Sequence, residues 1–339
     1  MSIKDVIILG AGPCGLSTAI ALSKIASASP TAPPLRITMI ELRPNLQTIG
    51  GTLNMTPLAM RYLDYLGAGQ RLRERSISLN TGVDVISLRT GWRMGNTWGG
   101  IGARRAARQA LVESLYEVVT KEHADTIQTQ FGKHVTQISD TGDRVELKFD
   151  DQTTIQGDVL LACDGIHSAA RHLFVEPERE KVYSGRVVTM GWAENPSDQD
   201  SGSPYAPVTL KSGKPAIRDT AAFNGDGGVL ITTYYEPSRQ NIYFAHVRWM
   251  EEQSSDERDG WKVHDADAET VRQEVIEACR GGKVNGLESV IESCHSWHLY
   301  PIYRLPPGGR WHKGRVMLLG DAAHAVSDFT IVHSTSKLY

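Results

Sequence analysis

Asp5-Val6-Ile7-Ile8-Leu9-Gly10-Ala11-Gly12-Pro13-Cys14-Gly15 is the stretch that decides the architecture. Val6 to Leu9 is a short, β-branched-rich apolar run and reads as a buried parallel strand. Behind the glycines, Leu16, Ala19, Ile20 and Ser23 recur at helical spacing. A second strand follows over 36–41, so the whole is a βαβ unit with a right-handed crossover. Gly10, Gly12 and Gly15 form Gly-x-Gly-x-x-Gly between strand and helix, the context this motif requires. The first permits a tight turn, the second lets backbone approach a pyrophosphate, and the third lets helix and strand pack closely. The helix N-terminus then offers N–H groups and partial positive charge to phosphate. Glu41, ending the second strand, is placed to accept hydrogen bonds from ribose hydroxyls. Its spacing exceeds the usual ~20 residues, which the Pro-rich loop Ser27–Pro34 explains. A nicotinamide dehydrogenase and a flavoprotein both fit this unit.

Outward from there, residues 56–75 read as helical, with Leu58, Tyr62, Leu63 and Leu66 on one face and Gly67 as a stop. A second helix is expected over about 104–122. Val135–Ile138 and Val145–Phe149 alternate around Asp140-Thr141-Gly142-Asp143, a hairpin signal. Val159–Cys163 reads as a third buried strand. From about 183 to 300 the texture changes to strands rich in Tyr, Trp and Val, separated by loops such as Ser197–Pro204, with helix signal near 268–280. Buried-strand texture resumes at Val316–Gly320. The block from 183 to 300 is therefore expected to be a mixed-sheet insertion.

The 339 residues suit about two domains, or one with an insertion. Lys+Arg total 36 and Asp+Glu 39, a net charge of −3, which argues against a nucleic-acid binder. Apolar runs are too short for a membrane span, and no secretory leader is visible. Cys14, Cys163, Cys279 and Cys294 form no Cys-x-x-Cys pair and no zinc spacing, so no metal site is expected and a cytoplasmic location is. His167 and His324 stand beside no nucleophile; they read as structural, and a hydrolase triad is rejected.

Two further motifs choose between the readings. Asp158–Arg171, with Asp164-Gly165 after the strand, resembles the Asp-Gly signature of flavoprotein aromatic hydroxylases. Arg315–Ala325, with Gly320-Asp321-Ala322-Ala323-His324, resembles their second flavin signature, and Gly51–Pro57 looks like the segment after their Glu-x-Arg. The resemblance is to single-component FAD-dependent monooxygenases of the para-hydroxybenzoate and salicylate hydroxylase type. It implies an α/β fold: a Rossmann-type FAD-binding domain from residues 1–80, 105–178 and 300–339, with a sheet-rich substrate domain from 81–104 and 179–299. It implies that Gly10, Gly12, Gly15 and Glu41 hold the ADP half of FAD. Arg43 and Arg104 match basic residues near the pyrophosphate and ribose, with Arg105 as the alternative to Arg104, because Ala107 stands where Arg-x-x-Leu expects Leu. Asp164 and Gly165 are expected near the phosphates, and Gly320 and Asp321 at the ribityl chain. Tyr235 is a weak candidate for a phenol-binding residue, with plain packing as the other reading.

The implied activity is hydroxylation of a small aromatic molecule through a flavin C4a-hydroperoxide, with FAD as cofactor and NAD(P)H and O₂ as co-substrates. After Ala325 the family's Pro and Gly-rich helix start is replaced by a polar stretch, Val326–Tyr339. That departure gives another expectation, a truncated, weakly active or non-catalytic protein with the same fold; a flavin-dependent dehydrogenase, which the dinucleotide-binding unit also fits, is the further alternative.

Overall fold

The run Val6–Leu9 becomes the centre of a mainly parallel sheet because both of its faces are covered. In the computed structural model, which describes residues 3–29, 33–48, 50–195, 207–252, 265–294 and 296–326, this sheet has six strands. Their spatial order is 312–313, 316–318, 159–162, 5–9, 36–40, 127–130. Val6 and Ile8 face the helices Pro13–Ser27 and Arg108–Glu122, packing with Leu16, Ile20, Leu115 and Val119. Ile7 and Leu9 face the other way, against Val145, Leu147 and Phe149 of a three-stranded antiparallel sheet. A strand buried on both sides has no polar face, which is why the sequence there is continuously apolar.

The return of the chain's last described strand is set by register. Val316–Leu318 runs parallel to Val159–Ala162, with Leu160 opposite Val316 and Ala162 opposite Leu318. Val159–Ala162 in turn pairs with Asp5–Leu9, with Leu9 opposite Ala162. Strands remote in sequence thus bring Gly10, Asp164 and Gly320 to one edge, at the carboxyl ends of parallel strands.

The second large sheet has seven strands in the order 296–304, 182–194, 241–249, 228–234, 220–225, 83–87, 93–97. One face is covered by the helices Asp265–Cys279 and Leu287–Glu292, through Val275, Ile276, Leu287 and Ile291. The other carries Val188, Met190, Tyr243, Ala245 and Val247, with Trp192, Ile231, Tyr235 and Tyr300 packed against them. The strand Ser296–Arg304 belongs to this sheet, so the sheet runs past the expected boundary at 299.

Several local expectations need correction. The stretch 104–122 is not one helix. Arg104–Ala107 is a strand between Thr52–Met55 and Ser76–Ser78, and the helix starts at Arg108. Residues 56–75 form two helices, Pro57–Leu66 and Gly69–Glu74, because Gly67 takes a left-handed φ of 91°. Leu58 and Tyr62 are exposed, and Met60, Leu63 and Leu66 form the buried stripe. The expected loop Ser197–Pro204 and most of the polar stretch after Ala325, residues 327–339, lie outside the described residues. Among the described residues, no helix is long and apolar enough to cross a membrane. All four cysteines are free.

Candidate functional site

A cleft of about 360 Å³ opens where the parallel strands end. Gly10, Gly12, Glu41, Arg43, Asp164, Gly165, Gly320 and Asp321 all line it. Four strands contribute them: 5–9, 36–40, 159–162 and 316–318. The sequence motifs were separated by more than a hundred residues, and parallel pairing brings them within one cavity.

The glycines divide by role. Gly10 has φ +102°, and a Cβ there would meet the carbonyl oxygen of Cys163 at 2.6 Å. At Gly15 a Cβ would lie 1.9 Å from the carbonyl oxygen of Gly10, so this glycine lets the helix sit on the turn and does not itself line the cleft. At Gly12 a Cβ would meet nothing within 4 Å. Its missing side chain leaves open space on the cleft side, which is what close approach by a ligand requires. Gly12 is also the N-cap of the helix Pro13–Ser27, with no side-chain cap and no acidic residue in the first turn. Among the described residues no side chain caps the donors of that turn.

Glu41 closes the adjoining side. One carboxylate oxygen accepts the Ala11 N–H and the other the Arg43 N–H, both at 2.9 Å. These bonds fix the carboxylate at the second strand's end while each oxygen keeps further acceptor capacity. Across the cleft, Oδ2 of Asp164 accepts the Ala170 N–H at 3.2 Å, and Gly165 turns the chain with φ +78°. Asp321 begins the short helix Asp321–His324 behind Gly320, whose φ of 58° makes the corner. Asp321 follows a strand end, where a carboxylate needs a polar partner. It is exposed at the cleft, so its oxygens are available to a ligand.

Arg104 does not join this cleft. Its guanidinium is held in the small three-stranded sheet by Ser76 Oγ at 2.8 Å, Ser78 Oγ at 2.9 Å and the carbonyls of Arg73 and Ser76. Arg105 points the other way and is buried, donating to Thr52 Oγ1 at 2.9 Å; burial lowers its pKa to about 10. The arginine of this stretch that does reach the cleft, beside Arg43, is Arg108, first in its helix, and its side chain has no hydrogen bond or ion pair among the described residues. Its signal was present: Arg108-Gln109-Ala110-Leu111 carries the Arg-x-x-Leu spacing four residues after the place where it was sought. Lys133 and His134 also line the cleft and had no motif to announce them. Lys133 is bound to Asp151 at 2.5 Å.

Tyr235 lies outside the cleft, half-buried just past the strand Gly228–Tyr234. Burial, reinforced by the charge of Glu236, pushes its phenol up to about 12. At neutral pH it is a protonated hydrogen-bond donor. His167 contacts Lys181 and His324 stacks on Trp311.

The residues fit a flavin dinucleotide on three counts: the open space at Gly12, the uncapped helix terminus, and the unpaired guanidinium of Arg108. The chain matches the FAD binding domain family over residues 4–329. It is similar to salicylate hydroxylase of Pseudomonas putida, 27% identical over 338 residues, covering 95% of this chain and 71% of that one. It is also similar to 3-hydroxybenzoate 6-hydroxylase of Klebsiella oxytoca, 23% identical over 95% of this chain and 74% of that one. Among solved structures, a salicylate hydroxylase substrate complex superposes with a TM-score of 0.73 at 19% identity, over 96% of this chain and 74% of that one. Klebsiella pneumoniae HpxO complexed with FAD and uric acid gives 0.69 at 22% identity, over 96% and 74%.

Proposed function

Because this chain belongs to the FAD binding domain family, we propose that it is an FAD-dependent monooxygenase that hydroxylates a small aromatic anion, using O₂ and a reduced nicotinamide dinucleotide. The observation that carries this reading is the convergence of the Gly10–Gly15 turn, Glu41, Asp164 and Gly320-Asp321 on one cleft. Gly12 and the uncapped helix terminus would hold the pyrophosphate with Arg108, Glu41 the adenosine ribose, and Asp321 the ribityl hydroxyls. When bound, the flavin supplies electron transfer from the nicotinamide and activation of oxygen.

The chain's own groups do the rest. The six-stranded sheet holds the cleft, and the seven-stranded sheet offers the apolar face of Val188, Met190, Tyr243 and Ala245 to an aromatic ring. In this proposal these are the two functional parts, 1–80 with 105–178 and the return after 304, and 81–104 with 179–304, the boundary moved from 299 by the strand Ser296–Arg304. Tyr235, with its proton firmly held, would donate to a substrate oxygen and not act as a base. Salicylate and 3-hydroxybenzoate, in the names of two relatives, are both aromatic carboxylates, which supports an anionic ring as substrate.

The test is the visible spectrum of the purified chain, followed by nicotinamide oxidation with a panel of hydroxybenzoates. Bound oxidised flavin, and oxidation that tracks both ring and O₂ with one oxygen atom entering product, is the expected result. A colourless protein that cannot be reconstituted with FAD overturns the proposal. Flavin reduced by nicotinamide but never yielding hydroxylated product overturns the monooxygenase part.

A further inference from the structure

A second cavity, of about 310 Å³, shares no lining residue with the flavin cleft. It lies between the helix Pro57–Leu66 and the strand Arg104–Ala107, and three guanidiniums line it: Arg61, Arg73 and Arg104. Asp64 is the one carboxylate among its lining residues. Both of its oxygens are taken by Arg73, at 2.5 and 2.6 Å, in a bidentate pair. Three cations therefore face one anion, and that anion is already engaged.

The cations differ in how firmly they are held. Ser76, Ser78 and two backbone carbonyls take four of the five N–H groups of Arg104. One of those carbonyls is that of Arg73, so the two like charges are kept as neighbours. Their proximity is costly enough that burial and the Arg73 charge together depress the Arg104 pKa. Arg73 keeps the three N–H groups that Asp64 does not use. Arg61 is exposed, and its side chain has no hydrogen bond or ion pair among the described residues. Ser78 and Asn80 add neutral polar groups to the lining. Guanidiniums with spare donors, facing one carboxylate that is already engaged, suit a phosphate group, whose oxygens accept several charge-assisted bonds at once.

The pocket is close to the flavin cleft along the backbone. The strand bearing Arg104 leads directly into the helix that begins with Arg108. Four residues of strand span about 13 Å. The sequence contains one Gly-x-Gly-x-x-Gly, used by the cleft, so a second dinucleotide has no such turn to bind.

We propose that the Arg61–Arg73–Arg104 pocket binds a phosphate group of the nicotinamide dinucleotide that reduces the flavin. This rests on the monooxygenase reading above and adds to it the site at which the co-substrate is recognised.

The experiment uses the full chain loaded with FAD. Oxidised nicotinamide dinucleotides, with and without the additional ribose phosphate, are titrated by quenching of intrinsic fluorescence, with inorganic pyrophosphate as competitor. Arg61→Gln and Arg61→Glu are the variants, because Arg61 is exposed and supports no other residue. The expected result is that Arg61→Glu weakens binding of at least one dinucleotide by roughly tenfold or more, with Arg61→Gln between it and the parent. FAD affinity and the flavin spectrum should stay unchanged, and pyrophosphate should compete in the parent protein. Dinucleotide affinity within twofold of the parent in Arg61→Glu would overturn the inference. So would pyrophosphate binding that depends on Arg61 yet fails to compete with either dinucleotide, which marks a site for free phosphate. Loss of FAD affinity in Arg61→Glu would also overturn it, by making the pocket part of the flavin cleft. If neither reduced dinucleotide reduces the parent's flavin, the monooxygenase reading itself fails; if the parent is reduced and Arg61→Glu is reduced equally well at low dinucleotide, only this inference does.

Discussion

At the scale of single residues, two of the motif glycines predict opposite phenotypes. A side chain at Gly12 would enter open cleft space, and its φ of −75° is ordinary, so Gly12→Val should fold. Its stability should change by less than about 1 kcal/mol, the scale of an N-cap substitution. FAD binding should be lost, because the added carbons occupy the ligand's approach. Gly15→Ala is the contrast. Its Cβ would lie 1.9 Å from the Gly10 carbonyl oxygen, a backbone atom that cannot rotate away. That variant should lose roughly 1–3 kcal/mol or more of stability before any cofactor is added. Urea unfolding of the apo-proteins and FAD titration separate the two effects. Equal loss of stability in both variants would mean that Gly12 is also packed. Arg108→Gln should behave like Gly12→Val in kind, with FAD affinity reduced about tenfold and no change in folding, since its guanidinium supports nothing else.

At the scale of an element, the strand Asn241–Trp249 carries an acid sensitivity. Ile242 and Phe244 pack on the helix-covered face, and His246, of the same parity, is buried there with Nε2 3.1 Å from the carbonyl oxygen of Gly227. Burial is the main cause that holds its pKa down at about 4, with the Arg248 charge adding to it. The unfolded chain binds that proton near pH 6.5, so between 6.5 and 4 it binds more protons than the native state. Stability from this group is present above pH 6.5, declines as pH falls, and is lost by pH 4. The two ends differ by about 3 kcal/mol. Carboxylates with depressed pKa values, such as Asp140 and Asp158, slope the same way, so a variant is needed to isolate the histidine. His246→Gln, which keeps a donor toward Gly227, should flatten the pH 4.5-to-7 difference measured by urea unfolding. An unchanged slope would show that His246 does not titrate in this window.

At the scale of the whole molecule, the cleft depends on a long-range clamp. Buried Arg171 donates to the Ala322 carbonyl at 2.9 Å and also to the Ile166 carbonyl. Arg179 donates to the Ala323 carbonyl at 3.1 Å and to that of Pro306 at 2.6 Å. These two side chains fasten the helix that begins with Asp321 to the segment after Gly165. Arg171→Met should strand the buried Ala322 carbonyl, costing about 1–3 kcal/mol, and the half-buried Ile166 carbonyl for less. It should also weaken FAD binding, because Asp321 would lose its fixed position. Hydrogen exchange gives the check: amides of Leu160, Cys163 and Leu319, which bond across the central strands, should lose protection together in that variant. Loss at Leu319 alone would mean that the returning strand frays independently of the sheet.

The central βαβ unit and its glycine turn were legible from residues alone, because a strand buried on both faces must be apolar throughout and a turn that tight needs glycine. Glu41 was legible too, since its position follows from where its strand ends; the strand Val316–Leu318 was found for a reason that holds only in part, because Val316 and Leu318 are buried while Met317, on its other face, is exposed. What no single stretch encoded was which charges meet. Arg104, Arg105 and Arg108 lie within five residues of one another and end in three places: an arginine pocket, a buried contact with Thr52, and the cleft at the ends of the parallel strands. Reading 104–122 as one helix spread them around one cylinder. The turn from strand to helix at Ala107 separates them instead, and partners such as Ser76 and Ser78 reach that strand only through sheet pairing. The Arg171 and Arg179 clamps are hidden for the same reason, since their acceptors are backbone carbonyls about 150 and 144 residues away, and a carbonyl leaves no trace in a side-chain pattern. Local sequence determined the central strands, the turn and the order of the motifs; long-range pairing decided which of these three arginines reaches the cleft, because the partners that hold the others come from distant strands.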